Sequence, residues 1–165
     1  MKILFIGGGI WGTPVLKSIL ELKYEVTVVD CPRVNADDCF RYGLTTRRIL
    51  HKSRIMQMIY SVVTNNSNFL YALFWRYRTR VIVTASLAEN NFIALVKSLQ
   101  CDLVLVASCA QKLPEELIFA ARLGCVNCHP SLLPKYRGSD PFFWILRNRE
   151  LETGVTFHYM SNDMD

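Results

Sequence analysis

The chain has 165 residues, a length typical of one domain that can bury a substantial hydrophobic core. Although 51% of the residues are hydrophobic, no apolar run approaches the roughly 20 residues of a membrane-spanning helix, so no membrane association is expected. The formal net charge of +5 is compatible with an anionic ligand, such as a phosphate group or RNA, but identifies neither. Six cysteines and an N-terminus unlike an export signal favour reduced thiols and a cytoplasmic location.

The N-terminal part has the pattern of a strand, a helix and a second strand. Residues 2–6 are mostly apolar and lead into glycines, and Thr13 and Pro14 have the composition of a helix start. Apolar positions at helical spacing then continue to about residue 23. Residues 25–30, rich in valine, form the next predicted strand. This order predicts the opening of a parallel sheet.

The glycine-rich segment between this strand and helix permits three interpretations. Gly7, Gly9 and Gly12 satisfy the spacing G-x-G-x-x-G, and Asp30 at the end of the second strand completes a dinucleotide-binding fingerprint. Glycine is also favoured wherever a tight turn leads into a helix beneath a sheet. The third interpretation is a bare phosphate at the N-terminus of the helix. The local pattern leaves all three open.

Positive charge is concentrated in two places between residues 41 and 80. A helix is predicted at residues 41–63, and its basic cluster consists of Arg47, Arg48, His51, Lys52 and Arg54. The second cluster is interleaved with aromatic residues and consists of Trp75, Arg76, Tyr77, Arg78 and Arg80. Such clusters bind nucleic acid in some proteins and are solvated faces in many others. The aromatic run at residues 69–77 is equally compatible with core and with a partner-binding edge.

The alternation of strand and helix continues to the end of the chain. Strands are predicted at residues 81–85, 102–107, 123–126 and 153–160, with helices at residues 88–99, 113–122 and 139–147. The run Ser139-Asp140-Pro141 predicts a capped start for the last of these helices. The repeated order predicts an α/β fold whose mainly parallel sheet is covered by helices on both faces.

The most informative segment begins where the strand at residues 123–126 ends. Asn127 and His129 are two residues apart, so both side chains project from one face if the strand stays extended. Pro130 has a fixed φ and no N–H, so the strand must leave the sheet there. An amide and an imidazole are therefore expected side by side at the carboxyl end of a strand, where open α/β sheets bind ligands.

The same segment contains a cysteine pattern with other possible meanings. Cys125, Cys128 and His129 spell C-x-x-C-H, the haem c attachment pattern, and include a C-x-x-C pair. Haem attachment requires an export route, which the N-terminus does not indicate. In an extended strand the two cysteines face opposite sides of the sheet, which is unfavourable for binding one zinc ion. Buried, unreactive thiols are therefore the preferred interpretation, and no metal site is predicted.

A long motif in this region resembles the folate-dependent formyltransferase family. The motif is NCHPSLLPKYRG at residues 127–138, followed by TGVT at residues 153–156 and DMD at residues 163–165. This family includes methionyl-tRNA formyltransferases, glycinamide ribonucleotide formyltransferases and sugar-nucleotide N-formyltransferases. The resemblance implies a Rossmann-like fold in which residues 1–165 are the N-terminal catalytic domain, incomplete at its C-terminus. It also disfavours the dinucleotide interpretation, because the family keeps the glycine-rich opening without a nicotinamide cofactor.

The resemblance also implies a reaction and a catalytic trio. The formyl donor is 10-formyltetrahydrofolate, no metal takes part, and the acceptor is an amine on an aminoacyl-tRNA or a nucleotide sugar, with methionyl-tRNA first. Asn127 and protonated His129 would donate hydrogen bonds to the oxyanion of the tetrahedral intermediate. His129 would also move the proton between the two nitrogens, oriented by Asp165.

Further binding residues follow from the same resemblance. The folate pocket is expected to be lined by residues of the loop after the fourth strand and the helix beyond it: Gln111, Lys112, Leu113 and Ile118. For Leu113 and Ile118, ordinary core packing is an equally good interpretation. Binding of the acceptor substrate is assigned to Gly8, Gly9, Ser131 and Arg137, and Arg137 alternatively holds its loop.

Other function classes stay open at this stage. A nicotinamide-binding oxidoreductase or sensor is supported by the glycine spacing with Asp30. A non-catalytic ligand-binding remnant is the third class, because the sequence stops at Asp165 whereas relatives continue over the folate. A carboxylate at a chain end is poorly placed for catalysis, so either a fragment or a weakly active relative is expected. The acceptor and the oligomeric state are not specified by these residues.

Overall fold

The computed structural model describes residues 1–31, 76–109, 111–138 and 140–161. The helix predicted at residues 41–63, its basic cluster and most of the aromatic run at 69–77 lie outside these ranges. Asp165 also lies outside them, so its catalytic assignment is not addressed by the structure. None of the described helices is both long and apolar enough to cross a membrane.

The described residues form one six-stranded sheet. Its strands are β1 (Lys2–Gly7), β2 (Glu25–Asp30), β3 (Arg80–Val83), β4 (Leu103–Ala107), β5 (Cys125–His129) and β6 (Thr156–Tyr159). They lie in the order β3-β2-β1-β4-β5-β6, and every neighbouring pair is parallel except the antiparallel pair of β5 and β6. The prediction of a mainly parallel sheet is therefore confirmed. The central strands β1 and β4 are almost continuously apolar, as strands buried on both faces must be.

Four helices are described beside the sheet: α1 (Gly9–Glu21), α2 (Asn90–Leu99), α3 (Glu115–Ile118) and α4 (Pro141–Arg147). The predicted start of the first helix at residue 13 is wrong, because the Gly12 N–H already donates to the Gly8 carbonyl oxygen at 3.1 Å. The capped start of α4 is also wrong in its detail. Asp140 occupies the N-cap position with a φ of 56°, but its side chain forms no capping hydrogen bond.

Two hydrophobic clusters cover the two faces of the sheet. One cluster packs α1 against β1, β2 and β4, with Leu16 and Phe5 fully buried. The other packs α2 and α3 against the opposite face, where Phe92 and Val96 are buried one helical turn apart. The prediction of helices on both faces is thus confirmed. Because the faces are covered, ligand-binding sites can form only at the loops at the strand ends.

Candidate active site

The carboxyl ends of β1 and β4 meet at the point where the sheet changes its winding direction. From β1 the chain proceeds to β2 and β3 on one side, whereas β5 and β6 follow β4 on the other side. Ligands of open α/β sheets bind in the crevice at such a switch point. The glycine-rich turn after β1 and the loop after β4 therefore flank the expected crevice.

The glycines after β1 are required by contact with β4. A Cβ atom on Gly7, whose φ is 136°, would lie 1.9 Å from the carbonyl oxygen of Ala107, and one on Gly12 would lie 2.7 Å from it. The same carbonyl oxygen accepts a hydrogen bond from the Gly8 N–H at 3.2 Å, and Gly9 begins α1. Close packing against Ala107 therefore requires glycine at positions 7 and 12, in a tight turn before a helix as well as in a dinucleotide site. Contact of Gly8 and Gly9 with the acceptor stays a prediction.

Strand β5 holds Asn127 and His129 on one face, as the spacing predicted. The strand is extended through His129, and its antiparallel register pairs Asn127 with His158 and His129 with Thr156 of β6. His129 is 4% exposed, whereas Asn127 is partly exposed. An amide and an imidazole thus lie next to one another at the carboxyl end of a strand beside the crevice.

The hydrogen bond of His129 fixes where its ring carries a proton. The Nε2 atom lies 2.8 Å from the carbonyl oxygen of Tyr136, in the loop that follows Pro130. A carbonyl oxygen can only accept, so Nε2 must donate. In the neutral ring Nδ1 is therefore the nitrogen with the lone pair, and proton exchange by His129 would take place there.

Tyr136 ties the same loop to the end of α4 through its side chain. Its hydroxyl donates to Glu150 Oε1 at 2.5 Å and accepts a hydrogen bond from Asn148 Nδ2 at 3.1 Å. The hydroxyl of Tyr136, and then the nearby Lys135, lower the pKa of the Glu150 carboxyl from its ordinary value. The backbone carbonyl of Tyr136 therefore orients the imidazole of His129, while the tyrosine hydroxyl is held by Glu150 and Asn148.

Ser131 and Thr156 brace the loop from within. Ser131 is completely buried, and its hydroxyl donates to the Lys135 carbonyl oxygen at 2.7 Å. The hydroxyl of Thr156 donates to the Ser131 carbonyl oxygen at 2.7 Å and accepts from the Leu133 N–H at 3.1 Å. Ser131 thus serves the shape of the loop, and its predicted contact with the acceptor stays untested. Arg137 is exposed on this loop.

Sequence reasoning did not single out His158, which contacts Asn127. Asn127 Nδ2 lies 3.2 Å from His158 Nε2, and His158 Nδ1 lies 3.2 Å from the carbonyl oxygen of Tyr159. Because Nδ1 donates to that carbonyl, Nε2 of the neutral ring accepts an N–H of Asn127. The only signal in the sequence was a histidine at alternating position within a predicted strand, and the register that gives it meaning is not local.

The predicted folate-lining residues occupy the loop after β4 and α3. The Gln111 amide clamps the loop after β3, since its Nε2 donates to the Ala85 carbonyl oxygen at 2.8 Å and its Oε1 accepts from the Leu87 N–H at 3.0 Å. Leu113 and Ile118 are each 4% exposed and belong to the hydrophobic cluster on this face. Their core packing is observed, whereas contact with a ligand stays a prediction, as it does for exposed Lys112.

The two cysteines of the C-x-x-C pair lie on opposite faces of the sheet, as expected. Cys125 packs in the cluster beneath α2 and α3, and Cys128 packs in the cluster beneath α1. Burial raises the pKa of both thiols, that of Cys125 to about 12. This pair is therefore placed as two inert thiols and cannot hold one ion between its sulfurs.

Comparison with known protein sequences gives matches over the whole chain. The sequence profile of the family described as Formyl transferase matches residues 1–165. The methionyl-tRNA formyltransferase of Clostridioides difficile is 32% identical over 165 residues, covering 100% of this chain and 46% of that protein. That of Synechocystis sp. is 48% identical over 73 residues, covering 44% and 22% respectively. The chain spans about half the length of curated relatives that match it throughout.

Solved structures confirm the fold. A phosphoribosylglycinamide formyltransferase from Bacillus halodurans superposes with a TM-score of 0.67 at 18% identity, covering 100% of this chain and 74% of that chain. A 4-N formyltransferase from Francisella tularensis has a TM-score of 0.55 at 17% identity, with coverages of 99% and 51%. At these identities the likeness establishes a shared Rossmann-like architecture.

Proposed function

Because the chain belongs to the formyl transferase family, we propose that its protein moves a formyl group from 10-formyltetrahydrofolate to a primary amine. The observation that carries the proposal is the pairing of Asn127 and His129 on one face of β5, at the edge of the sheet where ligands bind. An amide donor beside an imidazole suits acyl transfer, in which negative charge develops on one oxygen and a proton must move.

In this proposal the amine attacks the formyl carbon, and the new C–N bond forms before the bond to N10 of the folate breaks. Asn127 donates one N–H to His158, and the proposal assigns its other N–H to the developing oxyanion. His129 contributes a second donor when it is protonated. No covalent bond to the protein is required, so the cysteines and Ser131 have no role as nucleophiles.

His129 also carries the proton from the attacking amine to the leaving N10. Its Nε2 is engaged with the Tyr136 carbonyl, so the proposal assigns this transfer to Nδ1. Asp165 is proposed as the carboxylate that orients and charges the ring, on the family resemblance alone. Gln111, Lys112, Leu113 and Ile118 are proposed for the folate, and Gly8, Gly9, Ser131 and Arg137 for the acceptor.

Methionyl-tRNA is the acceptor that we propose first. It is supported by the methionyl-tRNA formyltransferase that is 32% identical over the full length of this chain. The nicotinamide hypothesis still rests on the glycine spacing with Asp30 and is tested by a titration with NADH. Amines on a nucleotide-linked sugar are the next acceptors to assay.

The first test is a calorimetric titration with 5-formyltetrahydrofolate, a stable analogue of the donor, with NADH in parallel. Saturable binding of the folate and no heat from NADH support the donor pocket, whereas binding of NADH alone overturns it. The second test is formyl transfer to methionyl-tRNA by wild type and by His129→Ala. The variant should lose at least about 100-fold in kcat and keep its affinity for the folate. Equal activity would refute the role of His129.

A further inference from the structure

A cavity lies at the opposite edge of the sheet from Asn127 and His129. Its volume is about 490 Å³, within the range of small-molecule sites. The first residues of three parallel strands, Lys2, Glu25 and Arg80, all contribute to its lining. The cavity is therefore at the amino ends of the strands, roughly 15–20 Å from the candidate active site along the strand direction.

The described lining carries a strong excess of positive charge. Its cations are Lys2, Lys23, Arg78 and Arg80, against the single carboxylate of Glu25. None of these cations forms an ion pair with any other residue that the structure describes. Like charges gathered around one concave surface repel each other, and a bound anion relieves that repulsion.

Thr79 is the lining residue between the two arginines, Arg78 and Arg80, and its Oγ1 atom is buried without a hydrogen-bond partner. Among the described residues no other buried side-chain oxygen or nitrogen is left unpaired. Such a group destabilises the unliganded protein unless a bound molecule or water pairs with it. The two arginines that flank it are exposed, and their guanidinium groups have the chemistry to pair with a phosphate.

The rest of the lining is aromatic and aliphatic. Tyr24 and Tyr77 contribute rings, and Ile3, Leu20 and Val26 contribute the apolar floor that continues into the hydrophobic core. The guanidinium of Arg76 lies 5.8 Å from the centre of the Tyr77 ring, so positive charge and a flat apolar surface occur together. Lys23 follows the end of α1, where the helix dipole favours a cation in any case. The dipole explains neither the cavity nor the unpaired hydroxyl.

We propose that this cavity binds a nucleotide phosphate at a site separate from the formyl-transfer site. The arginines and lysines pair with the phosphate, and a tyrosine ring contacts the base. The shared chemistry is a base joined to a phosphate, whether free or as part of an RNA strand. Arg78 and Arg80, which belong to the second basic cluster of the sequence, would thus bind the phosphate.

The test is a calorimetric titration of the full chain with adenosine monophosphate, with adenosine and with a short oligoadenylate RNA. We expect adenosine monophosphate to bind saturably at one site and adenosine to bind much more weakly. The double substitution Arg78→Gln with Arg80→Gln should weaken binding about tenfold or more, because two charged partners of the phosphate are lost. Arg149→Gln, an exposed arginine outside the lining, serves as the matched control and should leave the affinity unchanged.

Thr79→Val separates ligand binding from folding. Because it removes a buried hydroxyl that nothing pairs, it should leave the unliganded thermal midpoint equal or higher and the nucleotide affinity unchanged. If the RNA binds more tightly than adenosine monophosphate, and the double variant loses this binding, the natural ligand is a nucleotide within an RNA chain. Absence of binding by both phosphate ligands, or binding that the double variant does not weaken, would overturn the proposal.

Discussion

The side-chain amide of Asn127 and the imidazole of His158 face each other across an antiparallel strand pair, with 3.2 Å between Nδ2 and Nε2. This contact decides which end of the Asn127 amide points toward β6, because His158 Nε2 can only accept once Nδ1 donates to Tyr159. A residue predicted to act on the substrate is therefore oriented by one that sequence reasoning did not consider.

Replacing His158 should lower the rate of formyl transfer without weakening the donor complex. We expect His158→Ala to reduce kcat about tenfold to 100-fold with little change in KM for the folate, because Asn127 loses its orienting partner. His158→Gln, which keeps an acceptor, should restore part of the rate. Steady-state kinetics of both variants measure this split. A KM increase in place of the kcat loss would assign His158 to substrate binding.

The bond between Tyr136 and Glu150 should make stability depend on acid. The folded-state pKa of Glu150 is lowered, so its contribution is present above the ordinary value of 4.5 and is lost as pH falls through the folded pKa. Tyr136→Phe removes the hydroxyl and should lower the urea midpoint at pH 7. As the pH falls through the folded pKa of Glu150 the two proteins should converge, since the protonated carboxyl no longer favours the bond. A difference independent of pH would contradict this account.

Gly7→Ala should be severely destabilising. Its new Cβ would lie 1.9 Å from the Ala107 carbonyl oxygen, a backbone atom of a central strand that has no room to move. We expect a loss of about 3 kcal/mol in the free energy of unfolding by urea denaturation. Gly138→Ala is the matched control, because its φ is also positive but nothing lies within 4 Å of the added atom. That change should cost only about 1 kcal/mol, and equal losses would mean that φ alone explains Gly7.

Native Cys125 should resist alkylation. Its pKa of about 12 leaves roughly one thiolate in ten thousand at pH 8, and its side chain is buried. Peptide mass spectrometry after iodoacetamide treatment should find Cys125 unmodified in the folded protein and modified in urea. Added Zn²⁺ should not alter the pattern in the folded state, because Cys128 lies on the other face. Rapid native alkylation would refute inert burial.

The central sheet was largely predictable from local patterns. Apolar runs between a glycine-rich turn and helical patterns predicted the ends of β1, β2 and β4 to within about one residue. Such runs occur because these strands are buried on both faces of the sheet. The start of α1 was predicted too late. The Gly12 N–H donates to the Gly8 carbonyl oxygen, so glycine-rich residues with the composition of a loop form the first helical turn. The ends of α3 were overestimated, since the apolar spacing continues beyond the helical turn itself.

Local sequence patterns were enough to predict the strand–helix order and the shared face of Asn127 and His129, and the family is recognisable from its motif. These features depend on residues that are close in sequence. Side chains two residues apart in a strand point to the same face, and the ring of Pro130 ends the strand. Three features became visible only in the folded chain: the contact of His158 with Asn127, the hydrogen bond of His129 to Tyr136, and the cationic cavity at the amino ends of the strands. Each depends on the order and register of the strands. Both are set by packing between residues that are distant in sequence.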